Sequence, residues 1–134
     1  MKYKFLKHTA DVKFRAYGNT LNKVFETSVL ALSEVLAEKV GEKKKIKISA
    51  KGRDLESLLY DFLEQVLILL DSKGFLVARA KVKIDKKNFK LIGEFFGDGV
   101  SNCDVNSDVK AITYNDMFVK KIKDAWVCQV VLDV

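Results

Sequence analysis

Residues 8–14 read His8-Thr9-Ala10-Asp11-Val12-Lys13-Phe14 and place the only histidine and an acidic residue directly before a strand. The strand is indicated because apolar and polar residues alternate from Val12 onward. Its expected partner is the closing segment 126–134, which is dense in strand-forming residues. If the two strands pair, Asp11, Asp133 and the terminal carboxylate of Val134 converge. Such an oxygen-rich corner is a candidate site for a hard metal ion.

Asp133 also has a simpler interpretation. A carboxylate near the end of a buried strand must be solvated, paired or coordinated, because burying it without a partner is too costly. Solvent at the end of the strand would satisfy Asp133 as well as a metal ion would. From the residues alone, both interpretations stay open.

The composition predicts one folded domain over residues 1–134. Hydrophobic residues make up 49% of the chain and charged residues 31%, which is ordinary for a compact domain of this length. The chain contains no uninterrupted apolar run of membrane-spanning length and no visible signal peptide. The expected location is therefore the cytoplasm.

Lysine accounts for most of the formal net charge of +6. Lysines cluster in the segments 43–47, 81–90 and 120–123. A basic surface favours contact with nucleic acid or with an acidic protein. The nearby aromatic residues fall at core-like positions, however, and solvated strand faces explain the lysines equally well.

The residue pattern predicts an α+β fold. Apolar residues recur at helical spacing over residues 20–37, with Asn19 or Thr20 as the N-cap, and again from Asp54 to Gly74. The second half of this second helix is expected to be the most buried helical segment. Strands are predicted over the segments 3–7, 12–17, 43–50, 75–86, 89–96, 110–119 and 126–134. Together these elements make two amphipathic helices packed on a six- to seven-stranded mixed or antiparallel β arrangement.

No residue pattern supports catalysis, and we predict no catalytic residues. Cys103 and Cys128 lack metal-ligand spacing, and Cys128 is expected in the core. Asp104-x-Asn106-x-Asp108 begins like a calcium loop, but the required glycine and closing glutamate are missing from their positions. A lone histidine is more often structural than catalytic, and no nucleophile elbow or phosphate-binding glycine loop is present.

Four segments together resemble the archease family, and they occur in the same order as in that family. They are His8-Thr9-Ala10-Asp11-Val12, Asp54-x-x-x-Leu58-Leu59-x-x-Phe62-Leu63, Lys110-Ala111-Ile112-Thr113-Tyr114, and the closing strand from Trp126 to Asp133. The resemblance covers essentially the whole chain.

The resemblance implies a non-enzymatic accessory protein of tRNA splicing. Archeases assist an RtcB-type RNA ligase by promoting guanylylation of the ligase and its multiple turnover. Some archaeal members are associated with a tRNA cytosine-5 methyltransferase as a chaperone that limits aggregation and sharpens specificity. The resemblance therefore implies the ligase as the first partner and the methyltransferase as a second, with tRNA met indirectly and no membrane.

The resemblance also implies the residues of the site. The family's divalent-cation pocket, often occupied by calcium, maps to Asp11, Asp133 and Val134, with magnesium or manganese as other candidates. The family's important lysine corresponds to Lys110, and we assign partner or phosphate contact to Lys110 and His8. This chain departs from many relatives at Asn115, where they carry His, at Lys7, and in the loop 97–108.

Two other function classes remain open. A tRNA-binding or chaperone module would depend on lysines or exposed apolar surface and not on the aspartates. A metal-dependent hydrolase would need an open coordination position and a base, and only His8 offers an obvious base. We rank the hydrolase last.

Overall fold

The computed structural model describes residues 1–7, 11–106 and 109–134. Those residues form seven strands, two α-helices and a short 3-10 helix at Val100–Asn102. The strands are β1 (Lys2–Leu6), β2 (Val12–Gly18), β3 (Lys44–Lys51), β4 (Phe75–Asp85), β5 (Lys90–Gly99), β6 (Ala111–Ile122) and β7 (Ala125–Asp133). The helices are α1 (Leu21–Leu36) and α2 (Leu55–Lys73). The predicted α+β class, with two helices packed on six or seven strands, is confirmed.

The strands pair antiparallel in two sheets, ordered β1-β2-β7-β6 and β3-β5-β4. The predicted pairing of the opening and closing segments is confirmed, because Val12 lies opposite Leu132 and Gly18 lies opposite Trp126. β7 is therefore an inner strand, with β2 on one side and β6 on the other. Its residues from Trp126 to Leu132 are all buried, Gln129 among them.

α1 is the more buried of the two helices, so the expectation that α2 would be more buried was wrong. Eleven of the 16 residues of α1 are buried, against six of the 19 residues of α2. Ile68, in the second half of α2, is 51% exposed. The reason is the number of neighbours, since α1 packs against β1, β2, β4 and β7. An apolar helix face does not itself reveal how many strands cover it.

Both helices begin at the predicted caps. Thr20 Oγ1 accepts a hydrogen bond from the N–H of Lys23 at 3.1 Å. Asp54 Oδ1 accepts one from the N–H of Ser57 at 2.7 Å, and the Ser57 hydroxyl in turn accepts from the backbone of Asp54. Gly74 ends α2 in the left-handed conformation, with φ of 58°, which glycine adopts without strain.

The loop predicted to begin at Gly97 begins later, because β5 continues to Gly99. Glycine at 97 permits this, since a β-carbon there would collide with the carbonyl oxygen of Leu76 on β4. Asp98 is buried beside it and accepts hydrogen bonds from the N–H of Gly99 at 2.8 Å and from the Asn102 side chain at 3.2 Å. These bonds hold the pKa of Asp98 below its ordinary value.

Side chains of α1 satisfy the outer edge of β4, the last strand of the three-stranded sheet. Glu26, which is buried, accepts a hydrogen bond from the N–H of Val82 at 2.9 Å. Asn22 accepts one from the N–H of Ile84 at 3.0 Å. An unpaired strand edge invites pairing with other chains, and α1 closes this one.

Side chains of α2 likewise form hydrogen bonds with an edge strand of each sheet. Glu56 accepts a hydrogen bond from the N–H of Val119 on β6 at 3.0 Å. The Gln65 side chain donates to the carbonyl of Ser49 on β3 at 2.8 Å. α2 therefore bridges the four-stranded sheet to the three-stranded sheet.

The core lies between the sheets and the helices. Cys128 is fully buried there, as predicted, and burial raises the pKa of its thiol to about 12. No helix among the described residues combines the length and the apolar character needed to cross a membrane.

Candidate functional site

The pairing register brings Asp11 and Asp133 to the same end of the four-stranded sheet. Val12 lies opposite Leu132, so the residue before Val12 is level with the residue after Leu132. Asp11 itself precedes β2 in a bend, so the register fixes the sheet end that the two aspartates share. Asp11 is half-buried, whereas Asp133 is exposed at the end of β7.

Lys110 lies on the other side of Asp133. Its N–H donates a hydrogen bond to the carbonyl oxygen of Asp133 at 2.7 Å, and the next residue, Ala111, lies opposite Asp133 in the β6–β7 pair. We call the group formed by Asp11, Lys110, Asp133 and Val134 the strand-end corner. Three chain segments that are distant in sequence meet there.

The donor chemistry of the strand-end corner suits a hard cation. Asp11 and Asp133 supply carboxylate oxygens, which calcium and magnesium prefer. Within the described ranges, no group of three or more His, Cys, Asp or Glu side chains is placed to hold a metal ion. The two aspartates would therefore need further oxygen ligands, from Val134, from backbone carbonyls, from water or from a partner. His8, predicted to contribute to this region, lies outside the described residues.

A lysine of β2 lies near the strand-end corner. Lys13, two residues after Asp11, extends its Nζ to within 3.5 Å of Asp116 Oδ2, and its side chain is only 19% exposed. Asp116 belongs to an irregular segment of β6, where the pairing with β7 shifts between Thr113 and Phe118. The face beside the corner is therefore a set of fixed charges of both signs.

Gln129 locks that irregular segment in place. It is buried on β7, accepts a hydrogen bond from Arg15 Nε at 2.8 Å, and donates one to the carbonyl of Asp116 at 2.8 Å. Asp116 has a positive φ of 54°, a conformation that aspartate tolerates better than most residues. The segment is thereby tied to the inner strand β7 through its backbone.

The sequence interpretation missed Lys13, Asp116 and Gln129 as neighbours of the corner. It treated residues 110–119 as plain extended chain. The adjacent pair Asn115-Asp116 was the available signal, since these residue types favour turns and left-handed conformations. For Gln129 the available signal was its position inside an otherwise apolar strand, because a buried amide needs hydrogen-bond partners.

A cleft of about 740 Å³ adjoins the corner on the side of β1 and α1. Asp11 lines it together with Lys7, Lys13 and Glu34. The Tyr3 hydroxyl donates to Glu34 Oε1 at 2.7 Å. Burial and this hydrogen bond raise the pKa of Tyr3 to about 12. Of the four residues of the strand-end corner, all of which the structure describes, Asp11 is the one that lines the cleft.

Comparisons with known proteins give one consistent family. A family model described as "Archease protein family (MTH1598/TM1083)" matches residues 3–134. The chain is 40% identical over 140 residues to Protein archease of Pyrococcus furiosus, a match covering 99% of each chain. It is 34% identical over 143 residues to Protein archease of Methanosarcina acetivorans, covering 99% of this chain and 96% of the relative.

Two solved structures have a similar fold. The solution structure of Methanobacterium thermoautotrophicum protein 1598 matches with a TM-score of 0.75 at 30% identity and covers 98% of each chain. A crystal structure from Thermotoga maritima, described as an archease and possible chaperone, matches with a TM-score of 0.66 at 21% identity. That second match covers 100% of this chain and 98% of the other and bears on the fold alone.

Proposed function

The chain belongs to the archease family, and we propose that it is a non-enzymatic accessory factor of an RtcB-type RNA ligase in tRNA splicing. In this proposal it promotes guanylylation of the ligase and allows the ligase to turn over repeatedly. The strand-end corner is the part that acts on the ligase.

One observation carries the proposal. The register that pairs Val12 with Leu132 and Ala111 with Asp133 gathers Asp11, Lys110 and Asp133 at one sheet end. The backbone there is fixed by strand pairing, and Lys110 is tied to Asp133 by a 2.7 Å hydrogen bond. A charged constellation with such rigid supports can be offered to a partner without a large ordering cost.

The residues have separate parts in this proposal. Asp11 and Asp133, with Val134, would hold a divalent cation, calcium by first choice, and the cation would supply positive charge next to a nucleotide phosphate. Lys110, exposed at the rim of the corner, would contact a phosphate or a partner carboxylate. His8 would make a similar polar contact.

The decisive experiment measures ligase guanylylation and multiple-turnover ligation with the parent protein, with Asp11→Asn, with Asp133→Asn and without any addition. Residues that merely support a metal ligand usually contribute about 10–100-fold. We therefore expect each variant to lose stimulation by about tenfold or more. Asp71→Asn, which removes an exposed carboxylate from α2, is the matched control and should stimulate like the parent.

The alternative is a chaperone that modulates a tRNA cytosine-5 methyltransferase, in keeping with the description of the Thermotoga maritima protein as a possible chaperone. If the parent fails to stimulate the ligase, or if both aspartate variants stimulate it fully, the ligase proposal is wrong. Light scattering of the heated methyltransferase, with and without this protein, would then test the alternative.

A further inference from the structure

The outer face of the three-stranded sheet is a separate charged surface on the opposite sheet from the strand-end corner. Its side chains come from alternate residues of β3, β5 and β4. Its charged side chains are the cations Lys45, Lys47, Lys51, Lys90, Arg79, Lys81 and Lys83 and the carboxylates Asp85 and Glu94. Arg79 is also paired with Glu42, from outside the sheet, at 2.7 Å. We call this surface the basic sheet face.

The strand register arranges these side chains in rows. Lys47 and Lys81 lie on either side of Glu94, because both residues pair with it from the two neighbouring strands. Along β3, successive lysines two residues apart are about 6.8 Å from each other. The face therefore has two lines of cations, one on β3 and one on β4, with β5 between them.

The central line is partly apolar. Ile92, on the central strand β5, is 62% exposed. Phe96, four residues further along β5, lies under the guanidinium of Arg79, with its ring centroid 4.0 Å from Arg79 Cζ. A single-stranded nucleic acid has charged phosphates along its backbone and flat, exposed bases. Apolar and aromatic groups between two lines of cations match both parts of such a chain.

The face is also concave along β4. A cleft of about 780 Å³ is lined by Lys47, Lys81, Lys83, Ile92 and Glu94, with the first turns of α1 forming its other wall. On that wall Lys23 is paired with Glu26 at 3.4 Å, so among the described residues the unpaired cations of the cleft are those of the sheet side. A cleft lined by cations concentrates anions more than a flat surface does.

We propose that the basic sheet face binds single-stranded nucleic acid, with the phosphates along the lysine lines and bases against Ile92 and the Arg79–Phe96 pair. Duplex nucleic acid fits less well, because its bases are stacked inside and cannot reach the apolar line. An acidic protein would match the charge but would not use that line. The proposal goes beyond the accessory role and does not depend on the strand-end corner.

Glu94 gives the proposal a distinctive test, because it is the carboxylate in the middle of the face. It pairs with Lys45 at 3.4 Å, so it both neutralises a lysine and repels a phosphate. Glu94→Gln should tighten binding, whereas Lys47→Glu with Lys81→Glu, in the same row, should weaken it. If these residues only supported folding, the two variants would not change the binding affinity in opposite directions.

The measurement is fluorescence anisotropy of labelled 12-nucleotide oligo-U and oligo-dT, titrated at several salt concentrations. We expect the double Lys→Glu variant to raise Kd by about tenfold or more. The slope of log K against log salt should flatten by about 0.7 for each lost lysine. Ile92→Ser should weaken binding and leave the salt slope unchanged.

The matched control is Lys2→Glu with Lys121→Glu, two exposed lysines of the four-stranded sheet. This control has the same net charge as the test variant and should bind nearly as well as the parent. Equal losses in both double variants, or no measurable binding by the parent, would overturn the proposal. Equal affinity for a 12-base-pair duplex or for polyglutamate would overturn it in favour of a general polyanion or acidic protein surface.

The ligase is absent from these titrations, so the two proposals fail separately. Asp133→Asn should leave oligonucleotide binding unchanged. In the ligase assay the strand-end corner is tested by variants that leave the basic sheet face intact. Circular dichroism of every variant establishes that it is folded before its Kd is interpreted.

Discussion

The outer faces of the two sheets differ although both sheets are antiparallel and pack their inner faces on the same helices. On β7 the outer-face residue Val131 is fully buried, whereas on β5 the outer-face residue Ile92 is 62% exposed. The four-stranded sheet covers its outer face with its own side chains, through the hydrogen bonds that join Arg15, Gln129 and Asp116. The three-stranded sheet leaves its outer face to solvent.

This difference separates two kinds of surface. The covered sheet is rigid at its end and holds a few charges at fixed positions, which suits recognition of one defined partner site. The open sheet presents many flexible lysines, which suits a charged polymer that tolerates variation in sequence and position. One small domain therefore carries a fixed corner and an adaptable face on different sheets.

The largest effect on the free energy of unfolding should come from truncating outer-face side chains on the inner strands β7 and β5. Val131→Ala removes fully buried methyl groups and should lower the free energy of unfolding by about 2–3 kcal/mol. Ile92→Ala removes exposed ones and should cost below about 1 kcal/mol. Both variants lose the same β-branched character, so each controls the other for strand propensity. Urea unfolding measures the two values, and equal losses would contradict a covered outer face on β7.

The contrast between β7 and β3 shows which parts of the fold the sequence encodes locally. The strict alternation of lysine with Ile46 and Ile48 predicts a half-exposed strand, and β3 is one. The strand-forming residues of β7 predict a strand with Cys128 in the core, which is also observed, whereas the burial of its outer face was not predicted. The helix caps Thr20 and Asp54 are equally local, because each needs only a side-chain oxygen near the first turn.

The missed features depend on contacts between segments distant in sequence. The irregular part of β6 exists because Gln129 on β7 and Lys13 on β2 hold Asp116, and nothing within residues 110–119 reveals those partners. The exposure of Ile68 on α2 has the same origin. For the strand-end corner, the pairing of the two ends was predicted from strand patterns. The candidate cation site at Asp11, Asp133 and Val134 followed from that pairing, whereas the family's pocket and the contacts of Lys110 and His8 came from the resemblance. The whole site stays a prediction.

A second, smaller effect tests how the helices close the sheet edges. Glu26→Ala would leave the N–H of Val82 without its acceptor in a buried place, at a cost of about 1–3 kcal/mol. Glu56→Ala frees the N–H of Val119 on the other sheet, but Glu56 is only half-buried, so water can replace it and the loss should be below about 1 kcal/mol.

Glu26→Gln is the control for the first of these variants, because it keeps an acceptor oxygen. It should recover most of the stability that Glu26→Ala loses in urea unfolding. If the alanine and glutamine variants are equally unstable, the charge of Glu26, which also pairs with Lys23 at 3.4 Å, matters more than its hydrogen bond to the strand edge.

The smallest effect concerns the aspartates near the ends of the two inner strands, Asp98 on β5 and Asp133 on β7. The hydrogen bond from Gly99, the one from Asn102 and the nearby lysines lower the pKa of Asp98 in the folded state. A group whose folded pKa lies below its unfolded value of about 3.9 stabilises the protein above that pH. This contribution is lost as the pH falls from about 4 towards the folded pKa, because the unfolded chain then binds the proton more readily.

Asp98→Asn removes that titration while it keeps an oxygen that can accept the same two hydrogen bonds. Its melting temperature should therefore fall less steeply than that of the parent as the pH drops below about 4. Asp54→Asn should flatten the curve in the same direction, since hydrogen bonds from Ser57 lower the pKa of Asp54 as well. Curves parallel to the parent would mean that Asp98 is not held as an anion by Gly99 and Asn102. A flattened curve would show that the carboxylate of Asp98, near the end of β5, is held by its hydrogen bonds. Asp133, at the end of β7, is by contrast exposed and accessible to a ligand.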